Sequence, residues 1–472
     1  MIVEADNAWT RVKSATAAEE AWLDGALSFA VAGAEHAQAY QDGFWDGMRH
    51  MLVGGKFPSG LVRRVWAAAR AAGVRFDLVD VRAPVALPGL SGAWLRDYQR
   101  SAVDALLARG RGVLQAPTGS GKTASFAAIV QAVDVTWLVL VDSSDLLAQA
   151  ADEIARFTGE DVGRCGDGQW ETARVTVATF QTILRGGDRS RELLDAASGI
   201  VVDETHILGA QEYYRVAMAT PNARYRFGVS ATPFERADGA NYLVEAALGP
   251  LVHHITEQSL IASGAIARPT IWMVRHKHKK MRGTFAEVYE AGVVLDDDRN
   301  RLVVDIAADD GVCPRPALVF FKAIVHGNRI ADALGGLAYH VSTDVVSGKT
   351  PSFVRARARR RLMDGDLDVL ISSRIFNKGV DLPELASAVN AAAGESDVDT
   401  LQRLGRGTRV VAGKSVFRMI DVMDVGNYHL ERHAKARVAA YKSRGFDVRI
   451  VEAAGLRRAI AEDEIDRDAP RG

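Results

Sequence analysis

The sequence of 472 residues is poor in cysteine, with Cys165 and Cys313 its only two. Two thiols without metal-like spacing exclude a disulfide framework and a cysteine-built zinc site, and they fit a reducing, cytoplasmic compartment. No run of about eighteen apolar residues occurs, so no membrane span is expected. Neither sign of charge is in excess: 58 Lys and Arg face 59 Asp and Glu, a formal net charge of −1. That balance excludes a globally basic nucleic-acid footprint and confines any such contact to local grooves. The N-terminus carries Glu4 and Asp6, not the basic-then-apolar pattern of a secretory signal. Internal repeats and long low-complexity tracts are also missing. What is present is 48% hydrophobic and 25% charged, a composition of folded domains, about three by length.

The most informative stretch is Ala116-Pro117-Thr118-Gly119-Ser120-Gly121-Lys122-Thr123. The apolar run Gly112–Gln115 before it reads as a buried strand, and Ala124 to Val133 after it as a helix. Strand, Gly-rich turn and helix in that order make a phosphate cradle: the glycines turn backbone N–H groups toward an anion, and the helix N-terminus adds partial positive charge. Lys122 would reach the terminal phosphates of a nucleotide, and the Thr123 hydroxyl would hold Mg²⁺. Upstream, Gln99 stands about twenty residues before the loop, where its donor-and-acceptor amide can read an adenine edge.

Short apolar runs then alternate with helical stretches: Trp137 to Val141, Val175 to Ala178, Ile200 to Val202 and Phe227 to Val229. This pattern predicts a parallel sheet covered on both faces, with the reactive residues at the carboxyl ends of its strands. One such end delivers Asp203-Glu204-Thr205-His206. Adjacent carboxylates at a strand tip suit Mg²⁺-assisted phosphoryl transfer, with Asp203 holding the metal and Glu204 orienting and deprotonating water. His206 is placed to sense the nucleotide. Ser230 and Thr232, after the next strand, can bridge the carboxylates to a neighbouring domain.

Residues 1 to about 82 read as a small separate module. Helices are expected over Ala17 to Ala32 and over Leu61 to Ala72, the second capped by Ser59. Phe44, Trp45 and Phe57 are expected in its core. Arg63 and Arg64 are either surface charges or nucleic-acid contacts. A linker bearing Pro84 and Pro88 follows.

A second strand-and-helix unit has its strands at Ala317 to Phe321, Ala338 to Ser342, Asp368 to Ser372, Ala388 to Asn390 and Val416 to Ile420. It has no phosphate loop: Ser347-Gly348-Lys349-Thr350 lacks the preceding Gly, and Pro351 is expected to block a helix start. It carries instead Gln402, Arg406 and Arg409, with arginines three apart on one helical face that can act as arginine fingers. Gly379 and Asp381 lie in a further loop suited to ribose. The charged stretch Glu462 to Gly472 is expected to fray.

From Leu95 to Arg409 these motifs, in this order, resemble superfamily-2 helicases and translocases of the Asp-Glu-x-His type, in which Ala replaces the first loop Gly as at Ala116. Phe44-Trp45-Asp46-Gly47 and Phe57-Pro58-Ser59-Gly60-Leu61, with the stretch Tyr428 to Tyr441, are similar to phage UvsW-type helicases, relatives of the translocase XPB. The resemblance implies an α/β fold of two tandem RecA-like parallel-sheet domains (89–255 and 256–452) with a small N-terminal accessory, DNA-binding domain (1–88) and a charged tail (453–472). It implies ATP with Mg²⁺ between the two domains: Gln99, Pro117, Thr118, Gly119, Ser120, Gly121, Lys122, Thr123, Gly379 and Asp381 on the nucleotide, and Thr123 and Asp203 on the metal. Lys122, Asp203, Glu204, Gln402, Arg406 and Arg409 would be catalytic, and His206, Ser230 and Thr232 coupling. Ser143, Thr179, Gln181, Ser373, Asn377 and Lys378 would contact nucleic acid. The chain departs from the pattern at Asp142 and Arg374, neither of which touches hydrolysis. The implied activity is a monomeric, ATP-driven motor on duplex or branched DNA. An RNA helicase, a duplex translocase that does not separate strands, and a nucleotide-gated binding subunit remain as alternatives.

Overall fold

The alternation of apolar runs and helical stretches resolves into two units, Met1–Thr256 and Glu257–Gly472. The computed structural model describes residues 1–82, 94–117, 119–234, 239–263, 270–373, 385–394, 417–443 and 445–468. Among the described residues no helix is long and apolar enough to cross a membrane.

The first unit opens with strands β1 (Ile2–Ala5) and β2 (Trp9–Ser14), a pair β3 (Ser28–Ala30) and β4 (Met48–His50), then β5 (Lys56–Pro58) and β6 (Asp77–Asp80). Four of these form a sheet in the order β5-β2-β1-β6. The helix begun at Ala17 is started by a reciprocal cap between Thr16 and Glu19. It ends at Ala26 instead of Ala32, because Ser28–Ala30 is taken up in pairing with β4. Ser59 does not cap the next helix, Val62–Ala72; its buried hydroxyl bonds Thr10 Oγ1 at 2.9 Å. Phe57 is core, as expected, but Phe44 is 87% exposed.

This module has its own sheet but no core of its own. Val3, Leu23, Phe57, Leu61 and Val65 belong to one buried cluster with Leu138, Ile200, Val244 and Leu248 of the following sheet layer. Gly60 lets the backbones meet: a Cβ there would lie 2.1 Å from the Glu245 carbonyl oxygen. Arg64 Nε bonds Glu245 Oε2 at 3.0 Å across the same seam.

The large sheet of this unit contains β7 (Arg111–Gln115), β8 (Trp137–Val141), β9 (Val162–Gly166), β10 (Gln169–Glu171), β11 (Val175–Thr179), β12 (Gly199–Asp203), β13 (Tyr225–Ser230) and β14 (Leu251–His254). Its order is β10-β9-β11-β8-β12-β13-β7-β14, parallel except for β10. Strands such as Trp137–Val141 are buried along their whole length, as a sheet covered on both faces requires. The neighbours β12, β13 and β7 set three loops side by side at the carboxyl edge of the sheet: Asp203 registers with Val229, and Ser230 with Gln115.

The second unit is a seven-stranded parallel sheet of β15 (Thr270–Lys277), β16 (Ala317–Phe320), β17 (Thr343–Val346), β18 (Val369–Ser372), β19 (Ser387–Asn390), β20 (Arg418–Val425) and β21 (Asp447–Glu452), ordered β17-β18-β16-β19-β20-β15-β21. The strand expected at Ala338–Ser342 lies at Thr343–Val346, where the register with Val369–Ser372 draws it. β15 and β21 are additions to the expected set. Pro351 does not block a helix; it stands immediately before the helix Ser352–Met363, in the position where its fixed φ and missing N–H are tolerated. The expected charged tail is largely structured: Leu456–Asp468 is a helix whose Leu456 and Ile460 join the core, and whose Asp463 pairs with Arg449 at 2.6 Å.

Candidate active site

The phosphate loop leaves β7 at Gln115 and enters the helix Lys122–Ala132. Gly119 and Gly121 have φ of +87° and +75°, which L side chains rarely adopt. Gly121 is also sterically fixed: a Cβ would lie 2.2 Å from Gln99 Nε2. Buried Gln99 uses both ends of its amide here, Nε2 donating to the Ser120 carbonyl at 2.8 Å and Oε1 accepting from Arg96 N–H at 2.9 Å. It therefore braces the loop, a role its position in the sequence did not disclose. Ser120 Oγ is buried with no hydrogen-bond partner, and no acidic side chain occupies the first turn of the helix. An orphaned hydroxyl, two left-handed glycines and an uncompensated helix N-terminus suit a phosphate chain.

Asp203 ends β12, and Glu204 follows with φ +52°, a left-handed conformation uncommon for a residue with a side chain. This turn swings the Glu204 carboxylate across to the phosphate loop, where Lys122 Nζ donates to Oε1 at 3.0 Å. Ser230 Oγ donates to the other oxygen, Oε2, at 3.2 Å. His206 Nδ1 lies 3.2 Å from Ser230 Oγ and 3.3 Å from Glu204 Oε2, and Thr232 N–H donates to Ser230 Oγ at 3.2 Å. One connected network therefore joins Lys122, Glu204, Ser230, His206 and Thr232. The two carboxyls are driven apart. Burial raises Asp203, against the pull of Lys122, to about 6. Burial also opposes charge on Glu204, but Lys122 and His206 outweigh it and hold that carboxyl well below the usual carboxylate range.

The remaining expected residues divide in two. Ser143 and Thr179 cap helices, accepting from Leu146 N–H at 3.3 Å and Thr182 N–H at 3.2 Å. Gln181 donates to the Asp142 carbonyl at 3.0 Å and to Tyr213 Oη at 2.8 Å, and Ser373 N–H bonds the Val346 carbonyl at 3.0 Å. Pro117 and Thr123 lie at the two ends of the loop, both partly exposed. Thr118, Asn377, Lys378, Gly379, Asp381, Gln402, Arg406 and Arg409 fall outside the described residues, as does Arg374.

Residues 93–235 match the family described as the res subunit of type III restriction enzymes, and residues 311–411 match the helicase conserved C-terminal domain. The chain is 28% identical over 378 residues to the DNA 3'-5' translocase XPB2 of Sulfurisphaera tokodaii, covering 72% of this chain and 84% of the relative. It is 30% identical over 375 residues to a putative DNA 3'-5' helicase, Rad25, of Halobacterium salinarum, covering 76% of this chain and 58% of that longer protein. It is 23% identical over 353 residues to the ATP-dependent DNA helicase UvsW of Enterobacteria phage T4, covering 69% and 68%.

Proposed function

We propose, on the premise that the chain belongs to the superfamily-2 helicases related to XPB and UvsW, that it is an ATP-dependent DNA helicase or translocase acting on duplex or branched DNA in recombination, repair or fork processing. The carrying observation is the register of β12, β13 and β7, which brings Asp203-Glu204, Ser230 and the phosphate loop to one edge of one sheet.

The residues fit ATP with Mg²⁺. Bound there, the nucleotide and its metal would supply the scissile phosphoryl group and the charge that bridges it. Lys122 would hold the terminal phosphates, Thr123 and Asp203 the metal, and Glu204 the attacking water. Glu204 shares Lys122 as its counter-charge. As Lys122 turns to a phosphate, the Glu204 carboxylate loses that stabilisation and becomes a stronger base. Ser230 reports the change to His206 and Thr232 through the bonds they share. Gln402, Arg406 and Arg409 would complete the site from the second domain, with Gly379 and Asp381 at the ribose.

Movement along DNA would come from backbone contacts around Ser143, Thr179, Gln181, Ser373, Asn377 and Lys378, which carry no sequence information. The N-terminal module would add a further grip. Arg63 is exposed and Arg70 lies 5.8 Å from the ring of Trp66, itself 49% exposed, while Phe44 stands open nearby in the chain. The motor would act as a monomer in the cytoplasm, that of a bacterial host if the chain is phage-encoded. An ATPase and strand-separation panel across forks, four-way junctions, plain duplex and RNA hybrids tests this reading. Stimulation by branched or duplex DNA supports it; stimulation by RNA alone assigns the RNA-helicase alternative, and turnover on DNA without strand separation assigns the translocase.

A further inference from the structure

In the second unit, β15 ends at Lys277, with His276 in its last turn of pleat and His278 just beyond it. Residues two apart at a strand end share a face, and here both imidazoles turn toward Asp296, the N-cap of the helix Asp297–Ala308. His276 Nε2 lies 3.5 Å and His278 Nδ1 3.4 Å from the same oxygen, Asp296 Oδ2. Both ring nitrogens are buried without a hydrogen-bond partner. The other Asp296 oxygen is spent on the cap, accepting from Arg299 N–H at 2.9 Å.

The tautomer of His278 makes the arrangement informative. Its Nε2 lies 2.8 Å from Asp424 Oδ1, and Asp424 can only accept, so the proton of a neutral ring sits on Nε2. Nδ1 then presents a lone pair to the lone pair of Asp296 Oδ2. In that neutral tautomer two acceptors face one another, an arrangement relieved by a second proton on the ring or by a metal cation joining them. Asp424 is charge-matched elsewhere, by Arg299 Nε at 2.7 Å and Nη2 at 3.2 Å. A carboxylate behind a histidine, aligning its free nitrogen, is the usual outer shell of a metal ligand.

We propose that His276 Nε2, His278 Nδ1 and Asp296 Oδ2 bind one divalent transition-metal ion of the Zn²⁺ class. In a tetrahedral site with metal–ligand bonds of about 2.0–2.2 Å, ligand atoms stand about 3.3–3.5 Å apart, which the two Asp296 distances match. All three atoms lie within 4.8 Å of one another, and a metal draws the two rings together. Two imidazoles and one carboxylate suit Zn²⁺ or a neighbouring first-row ion and discriminate against Mg²⁺, which prefers oxygen. Asp296 keeps 21% of its side chain exposed, leaving a route for entry and room for water in the fourth position. The ion would clasp the end of β15 to the helix Asp297–Ala308 and, through Asp424, to β20, all inside the second unit.

The test uses the full chain, its purification tag removed, stripped with a chelator and free of nucleotide. Co²⁺ is titrated as a spectroscopic probe, followed by displacement with Zn²⁺ and a challenge with excess Mg²⁺. The expected result is about one equivalent of Co²⁺ per chain with the visible absorption of a low-coordinate site, displaced by Zn²⁺ and not by Mg²⁺, with a rise in melting temperature on Zn²⁺ addition. Asp296→Asn retains the helix cap, since Asn caps as well as Asp, so its fold should survive; it should lose the absorption band. Asp424→Asn should weaken binding by about 10–100-fold. Absence of a Co²⁺ band in the wild-type chain, or a band of equal intensity in Asp296→Asn, would overturn the proposal, as would displacement by Mg²⁺.

Discussion

In the first unit, Lys122, Glu204, Ser230 and His206 share contacts of 3.0–3.3 Å at the rim of a sheet, where Glu204 keeps 14% of its side chain exposed. In the second, Arg437 holds Asp421 with Nε at 2.9 Å and Nη2 at 3.0 Å, Tyr441 Oη donates to Asp421 at 2.7 Å, and Asn390 Nδ2 adds a bond of 3.1 Å, with both charges fully buried. Each joins one cation and one carboxylate to one hydroxyl, with an imidazole added in the first and a side-chain amide in the second. They differ in what can replace a partner. The first stands where an incoming anion can take Lys122, so its ion pair is exchangeable. The second is closed on every side, so its ion pair fixes β20 against the helix Tyr428–Ser443. On the proposed function, charge serves turnover in one unit and architecture in the other.

The largest effect should separate the two cleanly. Glu204→Gln should bind nucleotide and DNA yet lower kcat by about 10²–10⁴-fold, the range for losing a general base, with an unchanged melting profile; a steady-state ATPase assay beside a thermal melt checks both halves. Asp421→Asn should do the reverse. Leaving Arg437 buried without its counter-charge costs about 3–5 kcal/mol, seen as earlier denaturant unfolding of the second unit, while replacing both partners by apolar residues of similar volume should recover most of that loss.

A pH series sharpens the architectural side. Burial first, then the nearby Arg299, lowers His326 to about 3, and its Nε2 lies 2.8 Å from Asn300 Oδ1. The unfolded state takes up this proton near pH 6.5 and the folded state does not. Stability is therefore complete above that value and falls as pH drops, by about 2 kcal/mol at pH 5 for this group. Urea midpoints at pH 7 and pH 5, with and without His326→Gln, isolate the contribution of this histidine. The smallest effect belongs to the seam between the N-terminal module and its neighbour sheet. The Arg64 side chain is 46% exposed, so Arg64→Ala should cost no more than about 1 kcal/mol. Gly60→Leu, forced onto the Glu245 carbonyl, should cost far more than that charge does, and comparing their melting temperatures tests whether packing or charge joins the module.

The same contrast explains what could be read from sequence. The phosphate loop and Asp203-Glu204 were legible because each is a contiguous string at a strand end, and buried strands such as Trp137–Val141 announce themselves by unbroken apolar runs. The Lys122–Glu204 bond was not, because it depends on the left-handed turn at Glu204 and on β13 lying between their strands. The strand Asp447–Glu452 is not legible in sequence, since among the described residues it pairs on one side, with β15, and carries Asp, Arg and Glu among its apolar residues. The helix Leu456–Asp468 is hidden by its charge; among the described residues Leu456 and Ile460 are its apolar core positions, with Ala459 packed beside them. The fusion of the N-terminal module to the first sheet rests on contacts such as Gly60 with Glu245, far apart in sequence. His276 and His278 carried a usable signal, their spacing of two at a strand end, but Asp296 completes the cluster only in three dimensions.

On the proposed function, DNA drives turnover at a site run by Glu204. The most direct test is the ATPase rate of the wild-type chain and of Glu204→Gln, each with and without a forked DNA. The rate should rise with DNA in the wild type and stay near background in the variant under both conditions. Equal wild-type rates with and without DNA, or DNA-stimulated turnover by the variant, would contradict it.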